Sequence, residues 1–585
     1  MAIPVTSGAG IATGAVAKGW RPRLVAAGPP VLALALALFA QGTRGLGEPD
    51  EGRNVQIAQA MLASGDWLLP RLHGLAYLDK PPLTFWLTAA SLRWLGATEF
   101  AARAPLALAH LVATAAVVWL GSMLWGNGVG RRSGWVYALS LAPFVGAGVL
   151  TPDAYLAAAA ALTAACFWRA TSRGGAAFWL AAGLAAGAGL LAKGAAMVVW
   201  ALPLVLAETS RRRSLRWLLA RGPWLGLVAA TAVAAPWFVW AIRHLPGAAA
   251  YMLSNQITGR LVESGYDRNA QPSAVLSMYM PVLIAGALPW TGVLAIRVPS
   301  LWRQWRDGSR TRSTSEARFV QLDLLVPFAI FAVASSRLPL YLLPIFAPLA
   351  LALARALPRP SPHRRGRGIA FALAALWIVA LGGLKVAAAR QLGKRDGHQL
   401  TAWVREGVGV PSMPVYAVDA DLFSLPFYGV ADVRWASTKR HPYPMYATPP
   451  RLDAALARDV PAAAVLVTPE QRVASVIEIA ERGNLRCEPD SRRARLTRLA
   501  CRSIADSTAA RNIAGAPAAS VDGGVAGATV QARPSSQSPE TASSRPAIRG
   551  GVRVSRKTSN PIGSSAKATR VVAVTAVVES GQPPR

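Results

Sequence analysis

The chain has 585 residues, of which 53% are hydrophobic and only 16% charged, and its mean hydropathy is +0.32. This excludes an ordinary soluble enzyme and indicates a membrane protein with soluble parts attached. The formal net charge of +33 does not indicate a nucleic-acid partner, because the arginines gather in short clusters between apolar runs, as membrane orientation requires.

Residues 1–23 are small, polar and basic, with Lys18, Arg21 and Arg23 just ahead of an apolar run that reaches Ala40. No small-residue cleavage pattern follows, and many further apolar runs do. The run therefore reads as a first transmembrane helix behind a cytoplasmic N-terminus, rather than a signal peptide. Next comes a long connector, residues 43–100, mixed in charge and rich in aromatics. Long connections in compact chains tend to carry function. Within it, Val55, Ala58, Met61 and Leu62 share one helical face, and Gly65 is a natural stop. Residues 83–96, with Arg93 inside an apolar stretch, read as an interfacial helix.

Further spans are predicted at about 101–124, 134–150, 154–170, 176–192, 195–208, 222–242, 274–298, 319–335, 340–357 and 369–387. With the first helix, that makes about 11. Arginine clusters at Arg131–Arg132, Arg169 with Arg173, Arg211–Arg216, Arg303–Arg318 and Arg359–Arg367 occupy one set of connectors. That set is cytoplasmic by the positive-inside rule. The 43–100 loop, the 244–273 loop and the polar patches near residues 150, 193 and 337 then share the opposite face.

Residues 388–505 change character. MPVYAVDA and AAAVLVTPE read as strands, and VASVIEIAERG as a helix. They predict a small α/β domain, external by helix parity. Residues 506–585 are rich in Ser, Ala, Gly and Pro and read as a disordered tail. Cys487 and Cys501 form an even pair in a domain placed in an oxidising compartment, so a disulfide is expected, with two unpaired thiols as the alternative. Cys166, in an apolar run, reads as a packed thiol. No Cys/His spacing suggests zinc.

Chemistry concentrates in residues 49–86, PDEGRNVQIAQAMLASGDWLLPRLHGLAYLDKPPLTFW. Asp50 is either an N-cap, with Glu51 favourably placed in the first turn, or a reacting carboxylate. Lys80, held extended by Pro81–Pro82, is either a surface cation or a ligand for an anion. Asp153 is either a helix-start cap or a site residue. Lys193, at the end of a span, reads as a snorkelling cation.

Asp50-Glu51-Gly52-Arg53, MLASGDWLLPRL and YLDKPPLTFW resemble the first external loop of polyprenyl-phosphate-sugar glycosyltransferases. The likeness is greatest to the aminoarabinose transferases of lipid A, and protein O-mannosyltransferases are more distant relatives. The resemblance recurs in order at LTPD (150–153), LAKG (191–194), NQITGR (255–260), LPW (288–290) and SRLPLYLLPIFAPLA (336–350). It implies an all-α GT-C membrane domain of about 11–13 transmembrane helices over residues 24–387, followed by the small C-terminal α/β domain. It implies Asp50, Glu51 and Asp153 as catalytic candidates, and Arg53, Tyr77, Lys80, Arg337 and Tyr341 as substrate-binding ones. Relatives usually carry Lys at the place of Arg337; Arg also supplies charge, with a forked contact to phosphate. The loop matching 260–273 lacks the histidines seen in the aminoarabinose branch. No tightly bound metal or other cofactor is therefore expected, and Asp79 could contact a loosely held divalent cation.

The expected activity is transfer of a sugar from undecaprenyl phosphate or a similar lipid to lipid A or another envelope glycolipid, at the periplasmic face of a bacterial inner membrane. No nucleotide-binding fingerprint is present. Rival readings are transfer to protein hydroxyls or a cell-wall glycan, and a lipid-linked-sugar flippase. A flippase calls for ionisable residues near the midplane, whereas here they gather on one face.

Overall fold

The computed structural model describes residues 27–254, 269–296, 314–357, 363–391, 393, 395–409, 413–439 and 445–504. Helical structure stands at each of the eleven expected spans. α1 is Ala27–Leu38. α2 (Asp50–Ser64), a two-stranded hairpin (β1 Arg71–Leu72, β2 Leu75–Ala76) and α3 (Leu83–Leu95) form the long connector. The bundle continues with α4 (Glu99–Trp125), α5 (Asn127–Leu139), α6 (Leu141–Gly146), α7 (Pro152–Arg173), α8 (Ala176–Lys193), α9 (Ala196–Arg212), α10 (Arg221–His244) and α11 (Ala248–Leu253). A π-helical turn, Val275–Tyr279, leads into α12 (Met280–Gly286), followed by α13 (Trp290–Ala295) and α14 (Ser315–Val333). A 3-10 stretch, Pro339–Ile345, leads into α15 (Phe346–Ala356), and α16 is Arg364–Gln391.

Among the described residues, five helices are long and apolar enough to cross a membrane by length and composition alone: α4, α8, α10, Pro339–Ala356 and α16. The protein is a multi-pass membrane protein. α7 is the inner helix. Ala157–Ala161, Ala164 and Ala165 are buried, and their small side chains let α4, α8 and α9 approach closely.

Two expected single spans are broken. Residues 134–150 divide into α5 and α6 at Ser140, whose backbone is extended (ψ 137°). Pro143 has no N–H to give the Leu139 carbonyl, so the helix ends there. Residues 274–298 divide in the same way: Pro289 has no N–H for Ala285, and α12 ends at Gly286. The two breaks satisfy each other. The Leu141 N–H donates to the Leu288 carbonyl over 3.2 Å, and the Trp290 indole N–H donates to the Val136 carbonyl over 2.9 Å. Backbone groups released inside a membrane need such partners.

The C-terminal residues add α17 (Gly397–Arg405), β3 (Val415–Val418), β4 (Val433–Ala436), α18 (Leu452–Asp459), β5 (Ala463–Pro469), α19 (Val473–Arg482), β6 (Leu485–Arg493) and β7 (Leu496–Ser503). The sheet order is β4-β3-β5-β7-β6. β3 runs parallel to β4 and β5, whereas β7 is antiparallel to β5 and β6. β3, β5 and α19 fall within the stretches 413–420, 462–470 and 473–483 expected to form two strands and a helix. The β6–β7 hairpin was not foreseen, because the solvent-facing residues of β6 are mostly charged. Cys487 and Cys501 are direct partners across that hairpin and are disulfide-bonded. Replacing both with serine should lower stability by about 2–4 kcal/mol. Non-reducing peptide mapping should recover the linked pair, and full alkylation of both thiols would show that the bond does not form.

α16 continues past residue 387 to Gln391. The C-terminal sheet is not packed by itself. Ile57, Met61, Leu72, Tyr77 and Phe85 of the long connector share one core with Trp403, Val415, Phe423, Trp435 and Val467. The tail expected at 506–585 and the NQITGR motif at 255–260 lie outside the described residues.

Candidate active site

The first turn of α2 separates its two carboxylates. Pro49 occupies the cap position, and Asp50 is the first helical residue, with no capping bond. Asp50 is exposed and pairs with Arg53 over 2.5 Å, so the capping role does not describe it. Glu51 is buried instead, with each oxygen accepting three donors. Arg103 contributes two bonds (2.8 and 2.7 Å) and Arg44 two more (2.5 and 2.9 Å). The Gly47 N–H (2.7 Å) and Leu150 N–H (2.9 Å) complete the set. Burial works against this charge, but Arg103 and Arg44 outweigh it and hold the carboxyl far below its usual range. A carboxylate so saturated has no lone pair for a substrate proton. The structure corrects the catalytic assignment of Glu51: it is a clamp that ties the 44–47 segment and the LTPD turn to α4.

Arg103 was not among the candidates, although an arginine in the apolar EFAARAPLALAH was a visible signal. Glu51→Ala would strip buried Arg103 and partly buried Arg44 of the carboxylate they share, at a cost of about 3–5 kcal/mol. Thermal denaturation in detergent should show that loss, and an unshifted midpoint would remove Glu51 from this role.

Asp153 and Lys193 meet because α7 and α8 are antiparallel neighbours: one helix starts where the other ends. Asp153 lies in the first turn of α7 and makes no cap; it is ion-paired with Lys193, both side chains nearly fully buried. Lys193 therefore does not snorkel to water. Its ammonium sits 4.0 Å above the Tyr341 ring. Nearby, Asp79 accepts the Tyr251 hydroxyl, and the Lys80 ammonium donates to the Asp79 carbonyl over 3.0 Å.

Asp79, Lys80, Lys193 and Tyr341 rim a cavity of about 360 Å³. Asp79, Lys80, Lys193, Ser336 and Tyr341 supply its polar side. Leu156, Val199, Trp237, Phe238, Ile242, Met252 and Phe331 make the remainder apolar. An apolar trough with two ammonium groups suits an anion attached to a hydrocarbon tail.

Arg337 does not line this cavity. It is buried, and its guanidinium donates to the carbonyls of Asn269 (2.8 Å), Gln271 (3.0 Å) and Ala332 (2.9 Å). The expected Arg337–Tyr341 phosphate pair is corrected: Lys193 is the cation beside Tyr341, and Arg337 ties backbone segments together. Tyr77 is buried edge-on to Phe85. Arg53 pairs with Asp50. Burial opposes its charge, but Tyr77, Asp50, Asp421 and Asp79 favour it and raise its pKa overall. Asp50 is not a lining residue of the cavity. Among the described residues, no three His, Cys, Asp or Glu side chains converge as a metal site would need.

The bundle, the long connector between the first two spans and the attached sheet define the GT-C class of membrane glycosyltransferase folds. The crystal structure of ArnT from Cupriavidus metallidurans bound to undecaprenyl phosphate superposes with a TM-score of 0.62 at 22% identity, covering 83% of this chain and 98% of that one. A family model for dolichyl-phosphate-mannose-protein mannosyltransferases matches residues 79–240. Two curated relatives are the undecaprenyl phosphate-alpha-4-amino-4-deoxy-L-arabinose arabinosyl transferase of Edwardsiella ictaluri and the second such enzyme of Sodalis glossinidius. The first is 34% identical over 321 residues, 52% of this chain and 54% of its own length. The second is 36% identical over 323 residues, 53% of this chain and 55% of its own. The chain thus spans little more than half the length of the curated relatives it matches. It is similar to the polyprenyl-phosphate-sugar GT-C glycosyltransferases, their aminoarabinose transferases among them.

Proposed function

We propose that this protein is an inner-membrane glycosyltransferase moving a sugar from an undecaprenyl-phosphate donor, or a similar polyprenyl phosphate, to lipid A or another envelope glycolipid on the periplasmic face. The observation that carries the reading is the cavity whose apolar wall ends at Lys80, Lys193 and Tyr341. The names of the relatives support the donor class. The arginine clusters on the alternate connectors support a periplasmic site.

In the proposed reaction, the bond from the sugar's anomeric carbon to the phosphate oxygen breaks and the acceptor oxygen bonds to that carbon. The polyprenyl phosphate leaves with the electron pair. Negative charge grows on it in the transition state, and Lys80 and Lys193 offset that growth. Asp50, paired with Arg53, stands on the acceptor side. It takes the proton of a hydroxyl acceptor, or orients an acceptor phosphate that is already ionised. With two lysines opposing the leaving group, no resident cofactor is invoked, and a divalent cation at Asp79 would be loosely held. Chelation is expected to leave transfer largely intact.

Mass spectrometry of lipid A and envelope glycans from cells with and without the protein tests the reading. A sugar that appears on lipid A only with the protein supports it, and identical glycolipids in both overturn the acceptor. Protein hydroxyls are the second reading, favoured by the family match over 79–240; glycopeptides present only with the protein would establish it.

A further inference from the structure

Glu48 stands two residues ahead of Asp50, and the C-terminal residues reach it directly. The Ser424 N–H donates to Glu48 Oε1 over 2.5 Å, and the Glu48 N–H donates to the Arg395 carbonyl over 2.9 Å. The flanking backbone is held from the same side. The Gly45 N–H donates to Asp396 (3.1 Å), the Leu46 N–H to the Tyr428 hydroxyl (2.8 Å), and the Gly397 N–H to the Leu46 carbonyl (2.8 Å). On the next turn, the Arg53 guanidinium lies 5.8 Å from the Phe423 ring centroid.

The Glu48 carboxyl is buried, and its Oε2 has no hydrogen-bond partner among the described residues. It packs beneath α2 where Gly52 has no side chain. A Cβ on Gly52 would fall within 2.7 Å of the Glu48 Cδ. A helix ordinarily favours alanine over glycine. The glycine of Asp-Glu-Gly-Arg is therefore explained by the carboxyl beneath it.

We infer that Glu48 is a positioning residue, the peg through which the C-terminal α/β domain sets where the first turn of α2 holds Asp50 and Arg53. The inference rests on the transfer reading above, because it gives Asp50 and Arg53 a reaction to serve.

Burial pushes the Glu48 carboxyl up to about 7, against opposing hydrogen bonds from Ser424 and Phe423, and Asp421 pushes the same way. The other charges nearby are engaged: Glu51 with Arg44 and Arg103, and Asp396 with the Gly45 and Gln399 N–H groups. Folded-state affinity for this proton exceeds that of the unfolded chain, whose ordinary value is 4.5. Its contribution to stability is therefore full below that value, falls as pH rises towards 7, and is level above. Glutamine carries no such proton.

The test uses the purified full-length protein, with hydrogen exchange over residues 47–56 and steady-state transfer from a polyprenyl-phosphate sugar. Glu48→Ala should speed exchange at the Glu51–Arg53 amides about tenfold. It should lower kcat by on the order of tenfold or more with the donor KM unchanged. Glu48→Gln should keep exchange and kcat near wild type and flatten the fall in stability between pH 4.5 and 7. Gly52→Ala, which also serves if Glu48→Ala does not fold, should reproduce the loss and add nothing on top of Glu48→Ala. Unchanged exchange in Glu48→Ala or Gly52→Ala overturns the inference, as does faster exchange with unchanged kcat, additive losses, or Glu48→Gln behaving like Glu48→Ala. Failure of the transfer reading looks different: wild type does not turn over the donor, while the exchange pattern still follows Glu48.

Discussion

Replacing Lys193 with alanine is expected to reduce transfer from the lipid-linked donor by on the order of a hundredfold or more. The effect has two parts. The variant removes one of two ammonium groups on the cavity's polar rim. It also leaves Asp153, nearly fully buried and, among the described residues, ion-paired only to Lys193, as an uncompensated anion where the donor phosphate is proposed to bind. A buried charge stripped of its partner costs several kcal/mol, so Lys193→Ala alone would mix damage to the fold with damage to the site. The double variant Asp153→Asn/Lys193→Met separates them. It removes both charges at near-constant volume, should restore the melting midpoint towards wild type, and should remain inactive. Lys80→Ala should weaken donor use similarly. If the neutral double variant and Lys80→Ala both turn over donor like wild type, the phosphate is bound elsewhere.

The asymmetry between Lys193 and Arg337 shows how much of the site was legible in the sequence. Both sit in motifs that resemble the family, and both carry positive charge. The resemblance points to Arg337, beside Tyr341 in the chain, while the place of Lys193 at the end of a span reads as a snorkelling cation. The partners that decide the matter come from distant segments. Asp153 reaches Lys193 from 40 positions away, and two of the three carbonyls that occupy Arg337 come from residues 66 and 68 positions away. Helix parity held the missing clue, since the start of α7 and the end of α8 must share one face.

Glu51 gives the same lesson. Adjacent to Asp50 in the chain, it points the opposite way on the helix, into a pocket whose cations come from Arg44 and Arg103. Local pattern did place the helices, because apolar runs long enough to span are a strong signal. It missed the breaks at Pro143 and Pro289, where composition stays apolar while the backbone loses a donor. It also missed how closely the C-terminal sheet and α2 are joined, because their shared core depends on contacts more than 300 residues apart, such as Leu46 with Tyr428.

Asp50→Asn is expected to abolish transfer while the protein inserts, purifies and melts as wild type does. The structural cost is small because Asp50 caps nothing, is exposed, and has Arg53 as its ion-pair partner. Exposed pairs of this kind are worth about 0–1 kcal/mol, and asparagine can still accept from the guanidinium. The chemical cost is large if the carboxylate takes a proton or fixes the acceptor: removal of a positioned base lowers rates by roughly a hundredfold or more. The two roles differ in their pH response. With a hydroxyl acceptor, a proton leaves in the step, so the size of the loss in Asp50→Asn should depend on pH. With a phosphate acceptor, no proton leaves in the step, so the loss in Asp50→Asn should be nearly the same at every pH. Arg53→Ala should resemble the second case, because it releases Asp50 from its place without removing the carboxylate. Near wild-type turnover by Asp50→Asn, measured on protein with an unshifted melting midpoint, would show that this carboxylate serves neither role and would move the acceptor side of the site away from the first turn of α2.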